Sequence, residues 1–231
     1  MKKIFFTPTF PVEKSLYPEP ASKNIPEWYK KTESYINSNN IKILAGGAPN
    51  LTIKKCIPVF DAISAGYIIK TYTDIYVQRS PDGQSHYSWP SYNPISFHPI
   101  DQAPNHPNNN DMPYPKWNSP WSIETPIGYS CLFISPMHNP NNIFTILPGI
   151  VDTDTYKNPV NFPFTLNNKD FEGIIPAGTP MVQVIPFKRD VFVSSIGDMK
   201  KVNEISMFQA IYNNKFVNNY KSKFWKRKEY K

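Results

Sequence analysis

The sequence is poor in glycine, cysteine and arginine. Its 231 residues hold only 9 Gly and 2 Cys, and three of its 25 basic residues are Arg: Arg79, Arg189 and Arg227. No G-x-G-x-x-G, G-x-x-x-x-G-K-[ST] or G-x-S-x-G motif occurs, which removes the common phosphate-cradling loops and the serine-nucleophile turn. Cys56 and Cys131 have no C-x-x-C or C-x-x-H context, so a zinc ribbon or a disulfide scaffold has no support. Both are expected as buried thiols in strands. No segment approaches the roughly 18 apolar residues of a membrane span. The apolar run Ile4 to Phe6 is cut by Thr7 and Pro8, too short for the core of a signal peptide. The expectation is a soluble protein made inside the cell, with no membrane partner.

What is present is proline, aromatic rings and an uneven charge. The 25 Pro, with aromatics at 15% against 40% total hydrophobics, predict a mainly β, loop-rich protein whose core is built from rings. Abundant Lys, Asn and Ile suggest an AT-rich genome, as in many phages. From Lys215 onward there are seven basic residues and one acid, Glu229, while the first 214 residues carry 18 basic and 17 acidic groups. The body is therefore near neutral, and nucleic acid is an unlikely partner except through the C-terminal arm.

The pattern of apolar runs and turn signals divides the chain into three parts. Residues 1–40 read as an N-terminal arm: a strand over 3–10, then a Pro-rich approach to one or two helical turns capped by Asn24, with Pro26 in the first turn. Trp28 and Tyr29 anchor it, or dock it on a neighbouring subunit. Residues 41–197 read as a β domain, with strands over 41–45, 51–60, 68–77 and 122–187 and a last strand and turn over 187–197. Within it, residues 79–121 form a long Pro- and Trp-rich loop. Loops of this length are functional or disordered, and the tryptophans favour an ordered excursion. Residues 198–231 read as a basic helix, because Phe208, Tyr212, Phe216, Tyr220 and Phe224 recur every four residues.

Candidate chemistry is sparse. His98, Asp101 and His106 lie near one another in the long loop but match no closed zinc pattern, so no metal site is assigned. Asp152 and Asp154 would share one face of an extended strand, though not necessarily of a turn.

The order of segments resembles the trimeric dUTPase and dCTP deaminase superfamily. Ala65-Gly66-Tyr67 resembles the opening of the first motif, with Ile68 where the family has an acid. Ser135-Pro136-Met137 stands where the second motif has the phosphate-holding Arg-Ser-Ser. The segment LPGIVDTDTY resembles the third motif, and the resemblance implies Asp152 as water-activating base and Tyr156 against the sugar. The segment IPAGTPMVQVIPF resembles the fourth, with Gly178 and Gln183 matching. The Gly-rich fifth motif has no counterpart. A second, vaguer resemblance links the chain to an uncharacterised domain family of tailed phages and bacteria.

These resemblances imply a β-clip or jelly-roll fold of dUTPase-like type and a homo-oligomer, a trimer by analogy. A triphosphate site needs several cations or N–H donors and Mg²⁺, and two phosphate-holding motifs are missing. The leading expectation is therefore a non-enzymatic phage structural, assembly or interaction protein, in the host cytoplasm or the virion, with other phage proteins as further partners. Trp117, Trp121, Phe216, Lys226, Arg227 and Lys228 are its expected contact residues. One alternative is a divergent dUTP hydrolase using Asp152 and Mg²⁺, with Gly66, Tyr156, Gly178 and Gln183 around the nucleotide and the C-terminal basic residues reaching a neighbouring subunit. Another is a nucleotide-binding module without turnover; neither non-enzymatic reading requires a cofactor.

Overall fold

The structure, a computed structural model, describes residues 2–46, 49–90, 92–102, 106, 113–139, 141–197, 206 and 219–231. It is mainly β. In chain order the strands are β1 (Phe5–Pro8), β2 (Glu19–Pro20), β3 (Tyr67–Lys70), β4 (Ile75–Arg79), β5 (Ser85–Ser88), β6 (Ile95–His98) and β7 (Tyr114–Trp117). They continue as β8 (Trp121–Glu124), β9 (Tyr129–Ile134), β10 (Phe144–Ile146), β11 (Gly149–Val151), β12 (Phe162–Leu166), β13 (Gly173–Ile175) and β14 (Pro180–Lys188). The helices are α1 (Glu27–Lys31), α2 (Ile57–Ser64) and α3 (Asn219–Lys223). The chain divides into two compact units. One comprises Met1–Asn24, Ile63–Arg189 and Tyr230–Lys231, the other Ile25–Ala62 and Asp190–Glu229. All the described strands belong to the first.

The strands form a five-stranded sheet ordered β11-β9-β14-β3-β2, a four-stranded sheet β10-β12-β7-β6, a three-stranded sheet β13-β4-β5 and the pair β1-β8. Every pairing is antiparallel. β14 organises the largest sheet. It pairs with β3 up to Val184 and with β9 from Gln183 to Lys188. Pro186 therefore lies where the strand has a neighbour on one side only, a position that tolerates a residue without an N–H. The ring-rich core follows from the composition. Trp117, Trp121, Phe133 and Phe164 are among the largest fully buried side chains, and Phe162 stacks obliquely on Trp117 at 5.5 Å and on Phe133 at 5.3 Å. Such ring pairs add to the area they bury.

Several expectations are corrected. Residues 51–60 are not a strand: Thr52 accepts a bond from the Lys54 N–H at 3.2 Å and starts a 3₁₀ turn, Ile53–Lys55, and α2 follows with Pro58 in its first turn. A short apolar run cannot by itself separate buried helix from strand. Residues 41–45 contribute one isolated bridge, Ile43 to Pro49. The run 68–77 is two strands, because Thr71 to Asp74 turn to meet the turn before β14: Thr71 Oγ1 donates to the Pro176 carbonyl at 2.7 Å, and the Ala177 N–H donates to Asp74 Oδ1 at 2.7 Å. Asn24 does not cap α1; Pro26 occupies that position, and Asn24 Nδ2 donates to Glu19 Oε1 at 3.1 Å. Cys56 is exposed and outside any strand, whereas Cys131 is buried in β9. There burial pushes its thiol up to about 11, which makes it unreactive.

The expected long loop carries β5, β6 and β7, and its C-terminal end leads into the core rather than out to a contact surface. Trp117 and Trp121 are 0% and 1% exposed, so neither indole is available to a partner. Phe187 to Gly197 does not form a strand and turn: β14 stops at Lys188, and residues 189–197 have no regular structure. In the C-terminal segment the helix α3 ends at Lys223, and residues 225–231 are not helical. There Trp225 Nε1 donates to both carboxylate oxygens of Asp61 at 3.0 Å, and Lys228 pairs with Asp61 at 2.6 Å. Those tertiary partners replace continued helix. Phe216 and the aromatic residues before it lie outside the described residues.

Candidate functional site

The segment after β11 is a tight turn of the chain on itself. The Thr155 and Tyr156 N–H groups both donate to the Asp152 carbonyl, at 3.1 and 2.9 Å, and Asp and Thr favour such turns because their side chains bond nearby backbone. β11 lies antiparallel to β9, with Val151 opposite Cys131, which places Asp152 beside Ser130. Ser130 Oγ donates to Asp152 Oδ1 at 2.6 Å.

A cation occupies the same spot. Arg189, the first residue past β14, is fixed by its backbone N–H on the Gly128 carbonyl at 2.8 Å. Its Nη1 donates to Asp152 Oδ1 at 3.2 Å, Asp154 Oδ1 at 3.0 Å, Ser130 Oγ at 2.9 Å and the Tyr129 carbonyl at 3.0 Å. Its Nη2 donates to Asp154 Oδ2, which also accepts the Gly128 N–H at 2.8 Å. This is two-pronged guanidinium–carboxylate geometry. The Asp154 side chain is 2% exposed, the Arg189 side chain 39% and the Asp152 side chain 62%. Arg189 and the Gly128 N–H hold the Asp154 carboxyl down to about 2. Beneath the turn, Thr125 and Thr153 hydroxyls meet at 2.7 Å, and Thr153 Oγ1 donates to Cys131 Sγ at 3.4 Å.

The other residues of the resemblance gather at the opposite end of β9. Gln183 is fully buried. Its Oε1 accepts the Met137 N–H at 2.8 Å and its Nε2 donates to the Ala65 carbonyl at 2.7 Å. One side chain thus ties together pieces of the first, second and fourth motif-like segments. Gly66 is required sterically: at φ +68, a Cβ would stand 1.9 Å from the Val184 carbonyl oxygen. Gly178, at φ +84, closes the turn before β14 and donates to the Thr71 carbonyl at 2.8 Å. Gln183 pairs with Ile134, four residues along β9 from Ser130. At ~3.3 Å per residue that is ~13 Å from the Asp152 end. Within one chain, the motif-like residues therefore form two groups and not one site. Tyr156 is 43% exposed and follows the Asp152 turn.

At the basic terminus, Lys228 is paired with Asp61, and Arg227 Nε lies 3.2 Å from Glu229 Oε1. Lys226 is exposed. Among the described residues, no three His, Cys, Asp or Glu side chains are grouped to hold a metal ion. His98 Nδ1 is engaged by Gln102 Oε1, and His106 packs edge-on against Tyr114.

Arg189 is the residue that sequence reasoning missed. Its signal was rarity, one of three arginines, and its place directly after the fourth motif-like strand. No protein-family model and no curated protein matches the chain.

Proposed function

We propose that this chain is a non-enzymatic assembly or interaction protein of a phage, working as an oligomer of its own copies on a dUTPase-like β fold. The observation that carries the reading is the segment after Arg189. Val191, Phe192, Val193 and Ile196 are 95%, 87%, 91% and 102% exposed. Apolar side chains this bare cost roughly 25 cal/mol per Å² of area left in water, and clustered exposure marks a contact surface.

A second copy is the partner favoured, because the chain also offers a receptor. β11 is an edge strand of the five-stranded sheet, and its Ile150 is 64% exposed. An apolar segment without strand partners can add to such an edge, and identical copies supply donor and receptor together. Light scattering on the eluting protein tests this. The expected result is an oligomer, a trimer by resemblance, that Phe192→Asp converts largely to monomer. A monomeric wild type overturns the reading. The phage assignment rests on composition and resemblance; finding the protein in purified particles by mass spectrometry supports a virion role.

One observation favours the hydrolase alternative: Arg189 puts a cation beside Asp152, where the second motif-like segment has none. Against it, Arg189 is committed to Asp154, and Asp152 Oδ1 already accepts two donors. Incubation with dUTP and Mg²⁺ is expected to release no pyrophosphate. Turnover abolished by Asp152→Asn reverses that conclusion.

A further inference from the structure

Val191 opens the bare apolar segment two positions after Arg189, and Asp152 directly follows the edge strand β11. One side chain thus ties the point where the donor segment leaves the sheet to the end of the receptor strand. The order of strands explains the reach. β9 lies between β11 and β14, with Val151 opposite Cys131 and Lys188 opposite Tyr129. Neighbouring strands stand ~4.8 Å apart, which puts β11 and β14 ~10 Å from each other. The Arg189 side chain crosses that gap over the Tyr129 carbonyl and Ser130 Oγ to meet Asp152.

Two features separate this clamp from an ordinary surface ion pair. Its backbone is held as well as its guanidinium: the Arg189 N–H donates to the Gly128 carbonyl at 2.8 Å, and the Gly128 N–H donates to Asp154 Oδ2 at 2.8 Å. Its main carboxylate, Asp154, is 2% exposed, so water and salt screen it little. Order then stops abruptly, since residues 189–197 have no regular structure.

That boundary matters for assembly. Donor and receptor are different patches of one chain, so the contact between copies is head-to-tail. Head-to-tail contacts close into a ring only when the rotation from copy to copy is constant. The rotation is set by where the donor departs relative to the receptor, and a loose departure point adds an ordering cost to every contact.

We propose that Arg189 is the positioning residue of self-assembly, fixing the departure point of Val191–Ile196 against the end of β11 so that copies of this chain join in one closed stoichiometry. This role rests on self-assembly through that segment and that edge.

Sedimentation velocity and light scattering on the full chain test it, at a temperature where circular dichroism shows each protein folded. Wild type is expected as one closed species. Arg189→Gln is expected to associate at least about tenfold more weakly and to spread over more than one stoichiometry. Arg189→Lys keeps the charge without the fork and is expected to fall between them. Asp152→Ala leaves the Arg189–Asp154 pair in place and unties only β11, and about threefold weaker association is expected; it decides the question if Arg189→Gln does not fold. Gln183→Leu, a change at the other end of β9, is expected to leave the association of its folded fraction unchanged. Equal weakening by Gln183→Leu marks a general loss of stability and overturns the proposal. Wild-type affinity and a single stoichiometry in every folded variant overturn the role of Arg189 while self-assembly stands. A monomeric wild type removes self-assembly and the role of Arg189 together.

Discussion

The turn after β11 and the cavity beside β5 hold similar groups in opposite circumstances. At the turn, Arg189 spends its guanidinium on Asp154, Asp152, Ser130 and a carbonyl. At the cavity of about 450 Å³ lined by Arg79, Tyr87, Phe97 and Lys169, Lys169 has no partner among the described residues. The first arrangement is an interlocked set of bonds, and Lys169 stands in water outside any such set. A charged group that looks functional in a sequence can be consumed by the fold. The same contrast separates Gln183, saturated between Met137 and Ala65, from the cavity wall.

This contrast is broken if residues tied into the fold can be changed without loss of stability, or if groups without partners prove to be needed for it. The largest expected effect is Gly66→Ala. The added Cβ meets backbone at a positive φ, so a loss of about 3 kcal/mol or more is expected in urea unfolding, or failure to fold. A loss below about 1 kcal/mol means that the chain relaxes around Gly66 and the close approach is not required.

Gln183→Leu comes next. It leaves the Met137 N–H and the Ala65 carbonyl buried without their partner, and about 2–4 kcal/mol is expected to be lost.

Arg189→Gln sharpens the comparison through pH. The folded Asp154 carboxyl sits at about 2, below its ordinary value near ~3.9. Its stabilisation is therefore fully present above ~pH 4 and lost as the pH falls towards 2. Wild type is expected to show that acid loss in thermal melts across the window. Arg189→Gln is expected to melt lower at pH 7 and to lose less on acidification. Parallel curves for the two proteins remove Arg189 as the cause.

The smallest expected effect is Tyr114→Phe, which deletes a hydroxyl without a partner. Its unfolding free energy is expected to change by less than about 1 kcal/mol, towards greater stability. A clear destabilisation shows that the hydroxyl has a structural partner.

Much of the first unit was legible. Runs such as Tyr129–Ile134 and Pro180–Lys188 are apolar, bounded by turn residues and short, and they are strands for that reason. The prolines mark where strands begin, end or lose a neighbour. Ile53 to Ser64 was not legible, because an apolar run of that length suits a buried helix as well as a strand, and the 3₁₀ turn fixed by Thr52 decides between them. Asp152 was visible as a candidate, since acidic turn residues are easy to find. Its partner was not, because Arg189 lies 37 positions away in sequence and is brought there only by the pairing of β14 with β9.

The composition determined that the protein would be mainly β with a ring-rich core, since proline and aromatic content suit strands, turns and buried rings better than long helices. The order of residues also concentrates the net positive charge at the C-terminus, where seven basic residues and one acid follow from Lys215 onward. Tertiary structure decided what each conspicuous residue is for. Trp117 and Trp121 became core, Gly66 and Gln183 became joints between segments, and Asp152 became part of an ion pair. The reason is that partnership is a property of distance, and strand pairing sets distances between residues that are remote in the chain. Only after those pairings are made is it visible which buried polar groups, such as the Tyr72 and Tyr114 hydroxyls and the Trp117 and Trp121 indole N–H groups, are left without partners.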